Sequence, residues 1–252
     1  MSGHSKWAGI KHKKAAMDAK RGQLFTKLIK EITVAAREGG GNIETNAKLR
    51  AVVAKAKDMN MPWENIERAI KRGTGELPGV TYETVIYEGY AEGGVAVMVE
   101  ALTDNKNRTT AEIRNIFSKK GGSLAGTGSV SWMFSKKGYI LLDKANVNLS
   151  EDELLSLVLD AGAEDLKQDT KSFEIISQPQ DLEKIKSVLQ KNGINCQVAE
   201  ITLIPSSVVR VTGDTAKRVL DLVETLEEHE DVQNVYANFD IPDEIMEQLT
   251  TR

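Results

Sequence analysis

A tract of cations with one indole among them opens the chain: Lys6 and Trp7, then Lys11, His12, Lys13 and Lys14, then Lys20 and Arg21. Lysines and arginines along one stripe neutralise phosphates and release condensed counterions, and an indole offers a face on which an unpaired base stacks. Lys13, Lys20 and Lys27 recur at a spacing of seven. Lys27, Lys30 and Arg37 continue at helical spacing opposite an apolar stripe, so a cationic helix face is predicted. A second group sits in residues 103–109, where Asp104, Asn105, Asn107 and Arg108 precede a helix that carries Arg114 almost two turns further on. Asx residues of this kind make turns and caps. Read functionally, the same loop is a polar binding rim with Arg108 as its anion contact. A third group, the glycine-rich residues 121–129, resembles a phosphate loop superficially. It lacks the Gly-Lys-Ser/Thr ending and runs into a β-like stretch at 130–134, so it reads as a turn or linker.

Catalytic chemistry finds little support. His4, His12 and His229 are scattered, with no second ligand at metal spacing, and neither a nucleophile elbow nor a dinucleotide fingerprint is present. Glu227, Glu228, Glu230 and Asp231 read as a solvated helix end. The single cysteine, Cys196, excludes an internal disulfide and reads as a small core residue in a reducing compartment. The expectation is a protein that is not an enzyme and takes no cofactor and no metal.

The elements that must position these groups follow from charge and periodicity. Residues 1–75 hold 16 basic against 7 acidic residues, while the rest of the chain holds 17 against 30, and residues 206–252 alone hold 4 against 11. The net charge of −4 hides this division, which points to a polyanion partner for the first part. At 252 residues the chain is long enough for two or three cores. No stretch approaches the roughly 18 uninterrupted apolar residues of a membrane helix, and no export signal opens it, so a soluble protein that is not exported, and no membrane partner, are expected.

Phe25, Leu28, Ile29, Ile32 and Ala36 predict a helix stopped at residues 39–41. A second helix is predicted from about Asn46 and a third from Pro62 to Gly73. From Thr81 the texture changes to short β-rich runs such as 85–87 and 95–99, alternating with helices near 109–120, 150–161, 180–192 and 214–228. The spacing of Thr109 and Glu112 predicts a capping box, hence a helix that starts at Thr109. The fold class is α+β. A basic helical domain over 1–78 precedes an α+β domain made of 79–132 and 206–240, into which a second, ferredoxin-like βαβ domain over 133–205 is inserted, followed by a tail over 241–252.

The residues also carry a family resemblance. Residues 3–7, 10–14, 18–22, 25–29 and 65–70, together with Tyr87-Glu88-Gly89-Tyr90, Thr103-Asp104-Asn105, Asn107-Arg108-Thr109 and Gly121-Gly122, resemble the YebC/PmpR family. The match runs over nearly the whole chain and thins beyond about residue 135. It implies three domains, a helical one and two α+β ones. It also implies a cytoplasmic protein of a family described as DNA-binding transcriptional regulators, with mitochondrial relatives that activate translation and bacterial members linked to ribosomes stalled on proline-rich stretches. By position, the family's basic motif falls on residues 6–21 and its polar loop on 104–108. Gly9 stands where a larger polar residue is usual, and residues 39–47 lack the prolines common there, which leaves the start of the second helix less rigidly set.

Two functional expectations stand together. In the first, a regulator of transcription places the cationic helices on duplex DNA, and its acidic α+β domains meet a protein partner. In the second, a translation factor lays the same arm along ribosomal RNA. The absence of a base-reading helix-turn-helix signature weakens sequence-specific duplex recognition, and a Lys-rich arm with a Trp suits irregular RNA at least as well.

Overall fold

Helix α1 (Asp18–Gly39) forms because its apolar residues recur once per turn, and Leu28, Ile32, Ala35 and Ala36 are buried along that stripe. The structure, a computed structural model, describes residues 18–169, 171–242 and Ile245. Against α1 pack α2 (Ala47–Asp58), through Leu49, Val53 and Ala56, and α3 (Trp63–Thr74), through Ile66 and Ala69.

Asn46 sets the junction of α1 and α2. Its Oδ1 accepts the Leu49 N–H at 3.0 Å as the N-cap, while its Nδ2 donates to the carbonyls of Ala35 and Gly40, each at 2.8 Å. One side chain thus closes the end of one helix and the start of the next, which fixes a boundary that the missing prolines leave open. The third helix ends at Gly75, in the left-handed region at φ +84°, rather than at Gly73. Gly73 instead lets two helices approach closely, since a Cβ there would press on the Thr33 carbonyl and lie 2.7 Å from Ala36 Cβ.

The first sheet contains β1 (Glu83–Ala91), β2 (Val95–Thr103), β3 (Ser123–Ala125) and β9 (Val232–Ala237), in the order β3-β1-β2-β9, all antiparallel. Helices α4 (Lys106–Lys119) and α7 (Gly213–Glu228) cover one face, where Ile113, Phe117, Val219, Leu222, Val223 and Leu226 meet the inward residues of the strands. The second sheet uses only strands from between β3 and β9: β4 (Phe134–Asp143), β5 (Ala163–Gln168), β6 (Ser172–Ser177) and β7 (Val198–Pro205), in the order β5-β6-β4-β7. With α5 (Glu151–Ala161) and α6 (Leu182–Lys191) on its face, this is the ferredoxin-like order with every neighbour antiparallel. The α+β class with an inserted sheet is therefore observed. A short parallel pair, β8 (Val209–Arg210) with β10 (Phe239–Asp240), completes the first unit. Where residues 130–134 read as β-like, Val130 is buried in a bend, residues 131–133 form a 3₁₀ turn, and the strand begins at Phe134.

Because α1 and α3 approach through Gly73, Gly73→Ala is expected to lower unfolding free energy by about 2 kcal/mol, within the range for overpacking. Denaturant titration reads this directly, and an unchanged midpoint would mean that the helices part without penalty.

Candidate nucleic-acid interface and the domain junction

The cations predicted for an open helix face divide into three sets. Lys6, Trp7, Lys11, His12, Lys13 and Lys14 lie outside the described residues. Lys20 and Arg21 fall in the first turn of α1. Lys27, Lys30 and Arg37 are described, and the structure turns all three toward the first α+β unit. Lys27 Nζ donates to the Glu227 carbonyl at 2.5 Å and Arg37 Nη2 to the Tyr82 carbonyl at 2.6 Å. Lys30, only 7% exposed, donates to the Glu230 carbonyl at 3.1 Å and to Asp231 Oδ1 at 2.5 Å. Its ammonium also lies 5.7 Å from the centroid of the Tyr82 ring. This stretch of stripe is a docking face: α1 buries its apolar side in its own domain and bonds its cations to the next, with Lys30 buried, Lys27 half-buried and Arg37 exposed. Lys30 in particular departs from the expected open face.

Asp231 receives these contacts. It is 1% exposed, and its carboxylate also accepts from Thr109 Oγ1 at 2.7 Å and from Arg108 Nη2 at 2.9 Å. Burial alone would push this carboxyl upward. The hydrogen bonds from Lys30, Thr109 and Arg108, with the Lys30 charge, outweigh it and hold the group at about 2, against an ordinary 3.8.

The polar loop is therefore built around Asp231. Asn105, not Thr109, caps α4: its Oδ1 accepts the Arg108 N–H at 3.1 Å, and the helix begins three residues earlier than the expected capping box places it. Thr109 instead points its hydroxyl inward to Asp231 and to Thr103 Oγ1 at 2.8 Å. Arg108 is held by Asp104 at 3.0 Å as well as by Asp231, and these carboxylates, Asp231 first, raise its pKa. An anion arriving there meets a guanidinium already paired. Asn107 and Arg114 are exposed on α4 and join neither contact.

His229 exposes a signal that spacing missed. Its Nδ1 accepts the Asp231 N–H at 3.1 Å, so Nε2 carries the proton and donates to Glu112 Oε2 at 2.9 Å. Glu112, His229 and Asp231 offer ligand atoms within 4.8 Å of one another, the one such group among the described residues. The carboxylate of Asp231 already accepts from two cations and a hydroxyl, so a metal ion there would have to displace Lys30 or Arg108. Asp231 lies only two positions from His229, within a run that reads as a solvated helix end, and Glu112 lies 117 positions away, so local spacing does not show the group.

The glycine-rich loop is a turn with its amides committed. Glu88, 3% exposed in β1, accepts the N–H groups of Gly128 and Val130, each at 2.7 Å, and of Ser131 at 2.9 Å. Burial pushes this carboxyl up, and the three amides outweigh that and hold it below the usual range. The loop binds an anion, and the anion is its own protein's. Cys196 is half-buried, and burial raises its thiol, which weakens it as a nucleophile.

A cleft of about 380 Å³ opens where the three units meet. Tyr236 donates to Glu100 Oε2 there at 3.2 Å, and its hydroxyl is raised by burial and by Glu100, Glu200 and Glu31, one carboxylate from each unit. The carboxamide of Gln233 on the same wall is buried and unpartnered among the described residues.

A basic helical unit locked by a buried ion cluster onto a split α+β unit, with a second α+β unit inserted, defines a three-domain class. Family models place it further: that for the TACO1/YebC N-terminal domain matches residues 5–76, and that for the TACO1/YebC second and third domain matches residues 82–239. The chain belongs to the TACO1/YebC family. It is 57% identical over 248 residues to a "Probable transcriptional regulatory protein" of Natranaerobius thermophilus, covering 98% of this chain and 99% of that one. A protein of the same description from Thermotoga maritima is 56% identical over 252 residues, covering 100% and 99%. The crystal structure of a conserved hypothetical protein from Aquifex aeolicus aligns with TM-score 0.80 and 52% identity over 94% of this chain and 97% of that one. Among the described residues no helix is long and apolar enough to cross a membrane.

The junction makes two predictions. Asp231→Asn leaves the buried Lys30 against a neutral amide and takes the charged partner from the exposed Arg108, and is expected to lower stability by about 3 kcal/mol in denaturant titration, more than Lys30→Met does. A loss under about 1 kcal/mol would remove Asp231 from its central place. Because the folded carboxyl is depressed, its contribution of about 2 kcal/mol is present above about pH 4 and lost as the pH falls toward 2. The stability of the wild type should fall more steeply over that window than that of Asp231→Asn, and parallel curves would contradict the assignment.

Proposed function

We propose that the chain is a nucleic-acid-binding regulator of gene expression whose phosphate contacts come from the basic tract of residues 6–21. The observation that carries this reading is the excess of 16 basic over 7 acidic residues in 1–75, taken with the engagement of Lys27, Lys30 and Arg37 at the domain junction. With those three committed to docking, the tract from Lys6 to Arg21 is the dense cationic stretch left to meet a polyanion. The helical unit that follows it is held against the first α+β unit by Asp231.

The relatives' description as transcriptional regulators supports a transcriptional role on DNA. The exposed face of α3 mixes Glu64 and Glu67 with Arg68, and Lys71 pairs with Glu67 at 2.7 Å, so that helix offers no acid-free face to a groove. This favours backbone-dominated binding with little base reading. The same feature supports a second reading, a translation factor that lays the tract along ribosomal RNA. In both readings the protein acts by binding, in the cytoplasm, without catalysis.

Replacing Lys11, Lys13 and Lys14 together with Ala should weaken binding to all sequences alike and flatten the salt dependence on duplex DNA by up to about three units of slope. Unchanged affinity and slope would move the binding surface elsewhere. Sedimentation of gently lysed cells, with and without ribonuclease, separates the readings: ribosome association lost by the triple variant favours the translation factor, and exclusion from those fractions with retention on duplex DNA favours the transcriptional regulator.

A further inference from the structure

Trp132 is 72% exposed, the most exposed of the large apolar side chains among the described residues. The structure holds it firmly in that position. Its Nε1–H donates to the Ser129 carbonyl at 3.1 Å, and the Tyr90 hydroxyl donates to the same carbonyl, also at 3.1 Å. Beneath this turn lies the Glu88 carboxylate, which gathers the N–H groups of Gly128, Val130 and Ser131. Val130, fully buried against Ala96, Met98, Phe134 and Tyr236, pins the turn from below.

Burying a carboxylate is unfavourable unless its hydrogen bonds are complete, and here they are spent on the shape of one surface turn. That turn presents an indole to solvent at a fixed angle, with a second aromatic ring beside it. Preorganisation of this kind distinguishes a recognition element from a side chain left outside by chance. Around Trp132 the turn exposes small polar residues, Ser129, Ser131 and Ser135, while its apolar members Val130, Met133 and Phe134 pack inward, so it lacks the apolar surround of a protein–protein interface core. Lys136, near the start of β4, is exposed and has no ion-pair partner among the described residues, which supplies a cation for a neighbouring phosphate. Sheet surfaces that display aromatic rings stack splayed-out bases in single-stranded RNA recognition.

We propose that Trp132, flanked by Tyr90, is a stacking platform for an unpaired base of a single-stranded nucleic acid. The site lies in the α+β part of the chain, more than a hundred positions in sequence from the basic tract. It rests on the nucleic-acid-binding reading and adds to it a class of ligand, since a base inside a duplex cannot reach an indole face.

The test uses the full chain with a single-stranded oligoribonucleotide and a duplex DNA of equal length. Trp132→Ala should weaken single-strand binding about tenfold and duplex binding less than about twofold, while Trp132→Phe retains most of the affinity, and none of these changes should shift thermal unfolding. In the full chain labelled with 5-fluorotryptophan, the fluorine resonance that Trp132→Phe removes should shift when the oligonucleotide is added; this readout stands even if Trp132→Ala fails to fold. Single-strand affinity unchanged in Trp132→Ala, equal losses on single strand and duplex, or an unmoved Trp132 resonance while the oligonucleotide is bound would each overturn the platform. If the triple-lysine variant still loses affinity while Trp132→Ala does not, the platform falls and the nucleic-acid reading stands. If the wild type binds neither ligand, both fall.

Discussion

A buried carboxylate with three donors organises this molecule. Asp231 sits where the helical unit meets the first sheet, and it can be there, 1% exposed, only because Lys30 arrives from α1 while Arg108 and Thr109 arrive from α4. Each partner is explained by the others. Lys30 is buried because a carboxylate receives it, Arg108 is paired because the carboxylate reaches it, and Thr109 faces inward because its hydroxyl completes the set. Through these bonds an N-terminal helix is held against residues two hundred positions away.

A second buried carboxylate repeats the device on a smaller scale. Glu88 holds a glycine-rich turn by its amides as Asp231 holds a helix by its cations. In both places a surface feature that reads as anion-binding in sequence is occupied by an internal anion. That distinction separates the cations and amides that build this protein from those left to meet a partner.

Much of the fold is legible in the residues, because local rules act there unopposed. Ser150 caps α5 with a complete capping box to Glu153, and the apolar stripe of α1 lies where its period places it. The misreadings share one cause. Thr109 and Glu112 have capping-box spacing, but Asn105 lies three residues before Arg108 and captures its N–H, while Asp231 draws the Thr109 hydroxyl away. Lys27, Lys30 and Arg37 make a cationic stripe by any helical count, and periodicity cannot distinguish a stripe facing water from one facing the carbonyls and the carboxylate of another domain. His229 reads as isolated because Glu112 approaches it only in the folded chain. For Thr109, Lys30 and His229 a long-range polar contact at or beside Asp231 overrides a sound local expectation, while Lys27 and Arg37 are drawn to the carbonyls of Glu227 and Tyr82.

The functional account reduces to one electrostatic claim: the tract of residues 6–21 meets phosphates directly. Equilibrium binding of the full chain to a single-stranded RNA over a salt series, from low to physiological ionic strength, tests it most plainly. Each phosphate neutralised on a single strand contributes about 0.7 to the slope of log affinity against log salt, so several simultaneous contacts predict a slope of about −3 or steeper. A slope near zero, at whatever affinity, would contradict the claim.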